Sequence, residues 1–517
     1  MNKVGKRMLR ATFQNIVENR DIRKNLILLK EMLREDGKQE SHNREALLYV
    51  IAGRYEVFRD LLQNEDAKVR KNTALIMGEL AVPEFTGILY EAYEKETQRF
   101  VKSSYLSAIR NMDYNELLPR LQTSYEIVKG IPVTEENKKH LGEELRLLEE
   151  LLVNSAGEKK HIFVGFNNVN EMVLLCNRNH IHVTMEQLGK IPKKDFTAGV
   201  MVRTKELREV LKIRTYRELL FAVDGVRTVP NDVLKAAKLL TDGSIYEFLK
   251  ERHEGDEPYY FRLELKGKMD PEKRTSFIKK LSVEIEHLSE RKLLNSVNHY
   301  EIEIRLIENK EGKFNILLRL YTLPEERFLY RKEVIAPSIH PANAALTAQL
   351  VKPYLVEEAQ VLDPFCGVGT MLIERDLCVR AKTMYGLDIY GEAIEKARIN
   401  TELVNRCGLK SEDGGHLVIN YINRDFFDFK HSYLFDEIFT NMPTVGRSMG
   451  EGELFTLYQK FFKRAYELLN DQGIIVLYSH HRDYVRKFAD RKPYRIEKEF
   501  EISMMEKTYV YVIRISR

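Results

Sequence analysis

Cysteine is scarce in this chain: Cys176, Cys366, Cys378 and Cys407 are the four thiols among 517 residues. They lie too far apart for a zinc-ligand pattern and are too few to staple a chain of this size. Free thiols, no bound metal and a reducing, cytoplasmic compartment are therefore expected. Long hydrophobic runs are missing too. No stretch approaches the roughly 18 apolar residues of a membrane-crossing helix, and the N-terminus, with Arg10, Arg20 and Arg23 among its apolar positions, lacks a signal-peptide pattern. An excess of one charge sign is also absent. A net charge of +4 is too small to announce nucleic-acid binding by itself, so such a partner must be argued from other residues. The composition that remains, 44% hydrophobic and 31% charged, is that of a globular protein. At roughly 100 to 200 residues per domain, the length predicts two to four domains.

The stretch that carries chemistry is Val361-Leu362-Asp363-Pro364-Phe365-Cys366-Gly367-Val368-Gly369-Thr370. It reads as an apolar strand ending in a carboxylate, then a turn that opens a helix. That layout brings a nucleotide-like cofactor against backbone amides at the carboxyl edge of a parallel sheet. Gly367 and Gly369 allow the turn and a close ligand approach. The third glycine of a dinucleotide fingerprint is replaced by Leu372. The next predicted strand, Met384 to Ile389, places Asp388 19 residues after Gly369, where a carboxylate can accept from ribose hydroxyls. Cys366 lies inside the turn with no base near it in sequence, so it reads as a small residue and not as a nucleophile.

Upstream, residues 1–155 show helical spacing throughout, as in Ile22 to Leu33, Ala46 to Ile51 and Leu141 to Leu152. Val69–Met77 and Val101–Ile109 repeat at an offset of 32. With the Asp66-Ala67-Lys68-Val69-Arg70 opening they resemble HEAT-type helical repeats, which implies a protein or nucleic-acid partner on a concave face; an ordinary helical bundle is the alternative. Residues 156–335 change character. His161–Val164 and His180–Thr184 read as short strands, and Tyr259–Leu265, Tyr300–Leu306 and Phe314–Leu320 as longer ones around a helix at Pro271–Leu288. Arg262, Lys266, Lys268, Lys273 and Arg274 are candidates for a phosphate-facing patch.

Residues 336–517 complete the pattern. Predicted strands end in Asn423-Arg424-Asp425, in Asn441-Met442-Pro443-Thr444 and in Ser479-His480-His481, all polar ends facing one crevice. A hairpin of Ile496–Met504 and Thr508–Ile515 closes the chain.

The Ser338-Ile339-His340-Pro341 helix start, followed by Asp363-Pro364-Phe365-Cys366-Gly367 and its glycine turn, resembles the THUMP-containing class I RNA methyltransferases, among them tRNA and rRNA guanine-N2 enzymes. The resemblance spans roughly residues 156 to 517. It implies an α/β fold: a Rossmann-like class I methyltransferase domain at 336–517 and a ferredoxin-like and THUMP-like α+β RNA-binding region at 156–335; the all-α HEAT-like domain at 1–155 stands in front and is not part of the usual family pattern. It implies S-adenosyl-L-methionine as cofactor, held by Asp363, Phe365, Gly367, Gly369, Asp388, Asp425 and Asn441. Asn441, Met442 and Pro443 become the catalytic turn for an exocyclic base amine in tRNA or rRNA. Thr444 departs from the family's Asn-Pro-Pro-aromatic turn, where a ring worth roughly 1 to 3 kcal/mol would stack on the base; Phe365, Tyr390 or Phe455 would have to replace it. Arg447 is a candidate phosphate contact. Two further readings stay open: a catalytically weakened RNA- or protein-binding protein that keeps the fold, and a methyltransferase of protein or DNA.

Overall fold

The structure is a computed structural model that describes every residue except 1–2, 35–42, 52, 135, 157–160, 243, 337, 410–414, 446–448 and 517. Arg447 therefore lies outside the described residues. The chain forms two compact units, Met1–Lys159 and Lys160–Arg517. The fold is mixed α/β, with a helical region, an α+β domain and a C-terminal Rossmann-like sheet.

In the first unit the repeated segments lie in helices Ala67–Leu80 and Arg99–Ile109, which pack against each other. Val69 and Val101, equivalent in the repeat, are both buried. Approach is close because Gly78 has no side chain: a Cβ there would stand 2.7 Å from the Ala108 Cα. Asp66 caps its helix by accepting from the Lys68 amide at 2.8 Å. Arg70, four residues on, reaches the next loop and pairs bidentately with Glu96.

The α+β domain of the second unit is built on a nine-stranded sheet, with a separate two-stranded pair of Ile162–Phe163 and His253–Glu254. Its long strands run in the order Gly199–Thr204, Asn170–Cys176, Tyr216–Ala222, Phe314–Leu320, Ile302–Glu308 and Tyr259–Lys266. Ile302–Glu308, two residues later than expected, pairs antiparallel with Phe314–Leu320, and that strand and the helix Pro271–Leu288 lie where spacing predicts. One expectation fails. His180–Thr184 is not a strand: Arg178–His180 is a 3-10 turn and Ile181–Gln187 an α-helix. Tertiary bonds decide this, with His180 Nε2 on the Glu501 carbonyl at 2.9 Å and Thr184 Oγ1 on Thr215 Oγ1 at 2.8 Å. Of the five basic-patch candidates, Lys268 and Lys273 are exposed and three are engaged. Arg262 donates to Glu303, Lys266 pairs with Glu264, and Arg274 donates to the Gly267 and Met269 carbonyls.

The C-terminal sheet has seven strands, numbered here within the sheet: β1 Ala359–Asp363, β2 Ala381–Asp388, β3 Ile419–Asn423, β4 Phe435–Asn441, β5 Leu469–Ser479, β6 Tyr494–Ser503 and β7 Thr508–Ile515. Their order is β3-β2-β1-β4-β5-β7-β6, with the first five parallel and β7 antiparallel to both neighbours. Adjacent residues enter opposite layers, as a period of two requires. Val361, Phe439 and Val476 pack in one layer, Leu362, Ile438 and Leu477 in the other. Strand order reverses between β1 and β4, which opens a crevice at their carboxyl ends.

Candidate cofactor and catalytic site

The turn after β1 is held open by its glycines. Gly367 and Gly369 have φ of 52° and 84°, a region costly to residues with a Cβ. At Gly369 a Cβ would also come within 2.2 Å of Tyr421 Oη. The Tyr421 ring wedges beneath the turn, bonded to Thr401 at 2.9 Å, and on its other side it needs Gly386, where a Cβ would meet the ring at 2.8 Å. A glycine inside a strand is the sequence signal for such an approach, so Gly386 and, through it, Tyr421 were within reach of sequence reasoning that passed them over. Cys366 is buried under the same turn, and burial pushes its thiol far up. That leaves a packing group.

Three carboxylates were expected to line the crevice. Asp363, fully buried at the end of β1, accepts from Thr440 Oγ1 at 2.6 Å and from the Phe365 amide at 3.0 Å. Burial pushes it up to about 7, against the lowering effect of those donors. Asp388, half-buried at the end of β2, accepts from the Gly367 amide at 3.0 Å and the Tyr390 amide at 2.9 Å, so it fixes the glycine turn directly. Its carboxyl is also raised, by burial. Asp425 is exposed beyond β3 and caps the short 3-10 turn Phe426–Asp428 through the Phe427 amide.

Asn441 ends β4. The Met442 amide donates to the Tyr478 carbonyl at 3.0 Å, and the Met442 side chain is buried in the apolar layer. A long thioether can anchor the turn there where a proline would not reach as far. Pro443 is half-buried and Thr444 exposed. Of the three rings considered as replacements, Phe365 packs on Phe426 and Phe461, Phe455 packs on Tyr484 and Phe488, and Tyr390 is exposed after β2.

Asp363 Oδ2, Thr370 Oγ1 and Asn441 Oδ1 are buried without a hydrogen-bond partner. An unpaired buried polar atom costs roughly 1 to 3 kcal/mol. These three stand at the ends of neighbouring strands and at the start of the helix Thr370–Cys378, so one polar ligand at this edge would satisfy them together. Thr370 and Thr440 were missed from sequence, because a threonine in or beside a strand carries no distinctive spacing.

The sheet order, the glycine turn and the polar strand ends define a methyltransferase-type domain. Residues 341–509 match the UPF0020 family model, described as RMKL-like, methyltransferase domain. Solved structures with a similar fold include TrmN from Thermus thermophilus, 17% identical over 67% of this chain and 100% of that one, with a TM-score of 0.49. SMU.472 complexed with SAH is 14% identical, covers 70% and 99% of the two chains, and has a TM-score of 0.49. A Listeria monocytogenes protein described as a predicted N6-adenine-specific DNA methylase is 14% identical over 66% and 95%, with a TM-score of 0.48. No curated protein matches the sequence.

Proposed function

We propose that the chain is an S-adenosylmethionine-dependent methyltransferase acting on an exocyclic base amine in structured RNA, with guanine-N2 of tRNA or rRNA as the first substrate to test. Residues 336–517 carry the reaction in this reading, residues 156–335 hold the RNA, and residues 1–155 dock a protein partner. The observation that supports it most is the orphaned Asn441 Oδ1 at the crevice, beside the backbone of Met442.

When bound, S-adenosylmethionine supplies a methyl on an activated sulfonium, so the protein's task is placement of the acceptor. Asp363 and Thr370 stand ready for the ammonium and carboxylate of the methionine moiety, since each has a buried polar atom to satisfy. Asp388 takes the ribose hydroxyls and Asp425 the adenine amine, each as a carboxylate acceptor. The Asn441 side-chain oxygen and the Met442 carbonyl accept the two hydrogens of the target amine, which turns the nitrogen lone pair toward the methyl. After transfer the nitrogen loses its proton to water, because neither group is a base.

The binding-protein reading has one observation in its favour, the exposed Thr444 where a stacking ring is expected. Transfer of labelled methyl from the cofactor to total RNA by the full chain, with cellular protein and DNA as parallel acceptors, tests the proposal. Label in RNA alone supports it; label in protein or DNA alone, or in nothing, contradicts it.

A further inference from the structure

Two arginines, Arg217 and Arg331, stand near the Asn441 turn outside the proposed cofactor residues. Arg217, exposed on the strand Tyr216–Ala222, donates to Asn343 Oδ1 at 3.1 Å, and Asn343 Nδ2 donates to Tyr478 Oη at 3.3 Å. Tyr478 stands opposite Asn441 in the register of β4 and β5, and its carbonyl holds the Met442 amide. A chain of contacts thus runs from the α+β domain to the Asn441 turn.

On the other side of Asn343 lies His340, whose Nδ1 accepts from the Ala342 amide at 3.2 Å. Burial together with Arg217, Arg331 and Arg327 pushes this imidazole down to about 4. It is therefore neutral near pH 7, and with Nδ1 accepting, its proton sits on Nε2. Arg331 donates to the Ile339 carbonyl at 3.0 Å and keeps its buried Nε unpaired. Elsewhere in this unit Arg214, Arg262, Arg305 and Arg319 are each matched by a carboxylate. Arg217 and Arg331 form no ion pair among the described residues. Glu506 acts on Tyr478 without pairing with Arg217. Two unmatched guanidinium groups and a neutral imidazole N–H are a donor set for a monoanion with two free oxygens, the phosphodiester.

We propose that Arg217 and Arg331, with the His340 Nε2–H, grip a backbone phosphodiester of the RNA next to the target nucleotide, and that Asn343 and Tyr478 pass its position to the Asn441 turn. This rests on the RNA methyltransferase reading. Arg217 and Arg331 are positioning residues in it, since neither touches the reacting amine.

The test compares the full chain with Arg217→Ala, Arg217→Gln and Arg331→Ala in methyl transfer to a substrate RNA across a salt series. The expected result is a KM for RNA raised tenfold or more, an unchanged affinity for S-adenosylmethionine, and a salt dependence shallower by about one phosphate contact per variant. Arg217→Gln guards against misfolding, because its amide can still donate to Asn343 while the charge is gone; it should fail as Arg217→Ala does. If the wild type methylates RNA and Arg217→Gln keeps the wild-type KM and salt slope, the phosphate contact is refuted and the functional reading stands. If the wild type methylates no RNA, both fall.

Discussion

Arg214 donates two hydrogen bonds to Glu374, at 2.8 and 2.7 Å, and thereby fastens the α+β domain to the helix that follows the glycine turn. Glu374 also accepts from Tyr330 at 2.6 Å. Its neighbour Arg375 points the other way and forks onto Glu437 of β4, both side chains fully buried. The helix that would face the cofactor is clamped on two sides by charge pairs.

Removing one partner of a buried pair strands the other charge, at a cost of roughly 3 to 5 kcal/mol. Arg214→Met should therefore destabilise the second unit by an amount in that range, and Arg375→Met by at least as much, read as a lowered denaturant midpoint. Arg214→Met combined with Glu374→Gln should recover part of the loss, since the stranded charge is gone.

Asp363 gives a pH dependence with a definite sign. Its carboxyl stands near 7 in the folded protein against an ordinary 3.8. The folded state thus binds the proton more tightly than the unfolded chain. The resulting stabilisation is complete below about pH 4 and is lost as pH rises through 7, a swing on the order of 4 kcal/mol. Denaturation between pH 4 and 8 should show this fall in the wild type and a flatter profile in Asp363→Asn. S-adenosylmethionine, whose ammonium favours the ionised carboxylate, should release protons on binding near pH 7, visible by calorimetry in buffers of different ionisation enthalpy.

Asp388 combines two tasks, the glycine turn and the proposed ribose contact. Asp388→Ala should weaken S-adenosylmethionine binding by about 1.5 to 3 kcal/mol. Unchanged affinity would remove Asp388 from the site.

Much of this was legible in the sequence, and the reasons differ by element. The β1 and β2 strands announce themselves because each is an apolar run ended by a carboxylate, and Gly367 and Gly369 fit a turn that needs positive φ. The hairpin of β6 and β7 follows from two β-branched and aromatic runs joined by the short 504–507 turn, although β7 is buried on both faces and the pairing carries two register shifts that simple alternation does not show. His180–Thr184 was misread because its alternation is local, whereas its conformation is set by Glu501 and Thr215, remote in sequence. The Thr440–Asp363 bond depends on strand order, which spacing does not encode, whereas Gly386 inside β2 does signal the close approach that Tyr421 makes. Arg262 looked available because Glu303 is 41 residues away along the chain.

Thr444 separates an altered substrate site from an inert one. Thr444→Tyr, which restores a ring worth roughly 1 to 3 kcal/mol of stacking, should lower the KM for RNA up to about tenfold if the base is extruded onto this turn. No change in KM would place the base elsewhere.

The central claim is that Asn441 orients an RNA base amine toward a bound methyl donor, and the most direct measurement is the single-turnover rate of methyl transfer to RNA by the wild type and by Asn441→Ala, with cofactor affinity measured alongside. An oriented polar group lost from the transition state costs roughly 3 kcal/mol, so the account predicts a rate lower by about two orders of magnitude at nearly unchanged S-adenosylmethionine affinity. An Asn441→Ala protein that methylates RNA at the wild-type rate would contradict it.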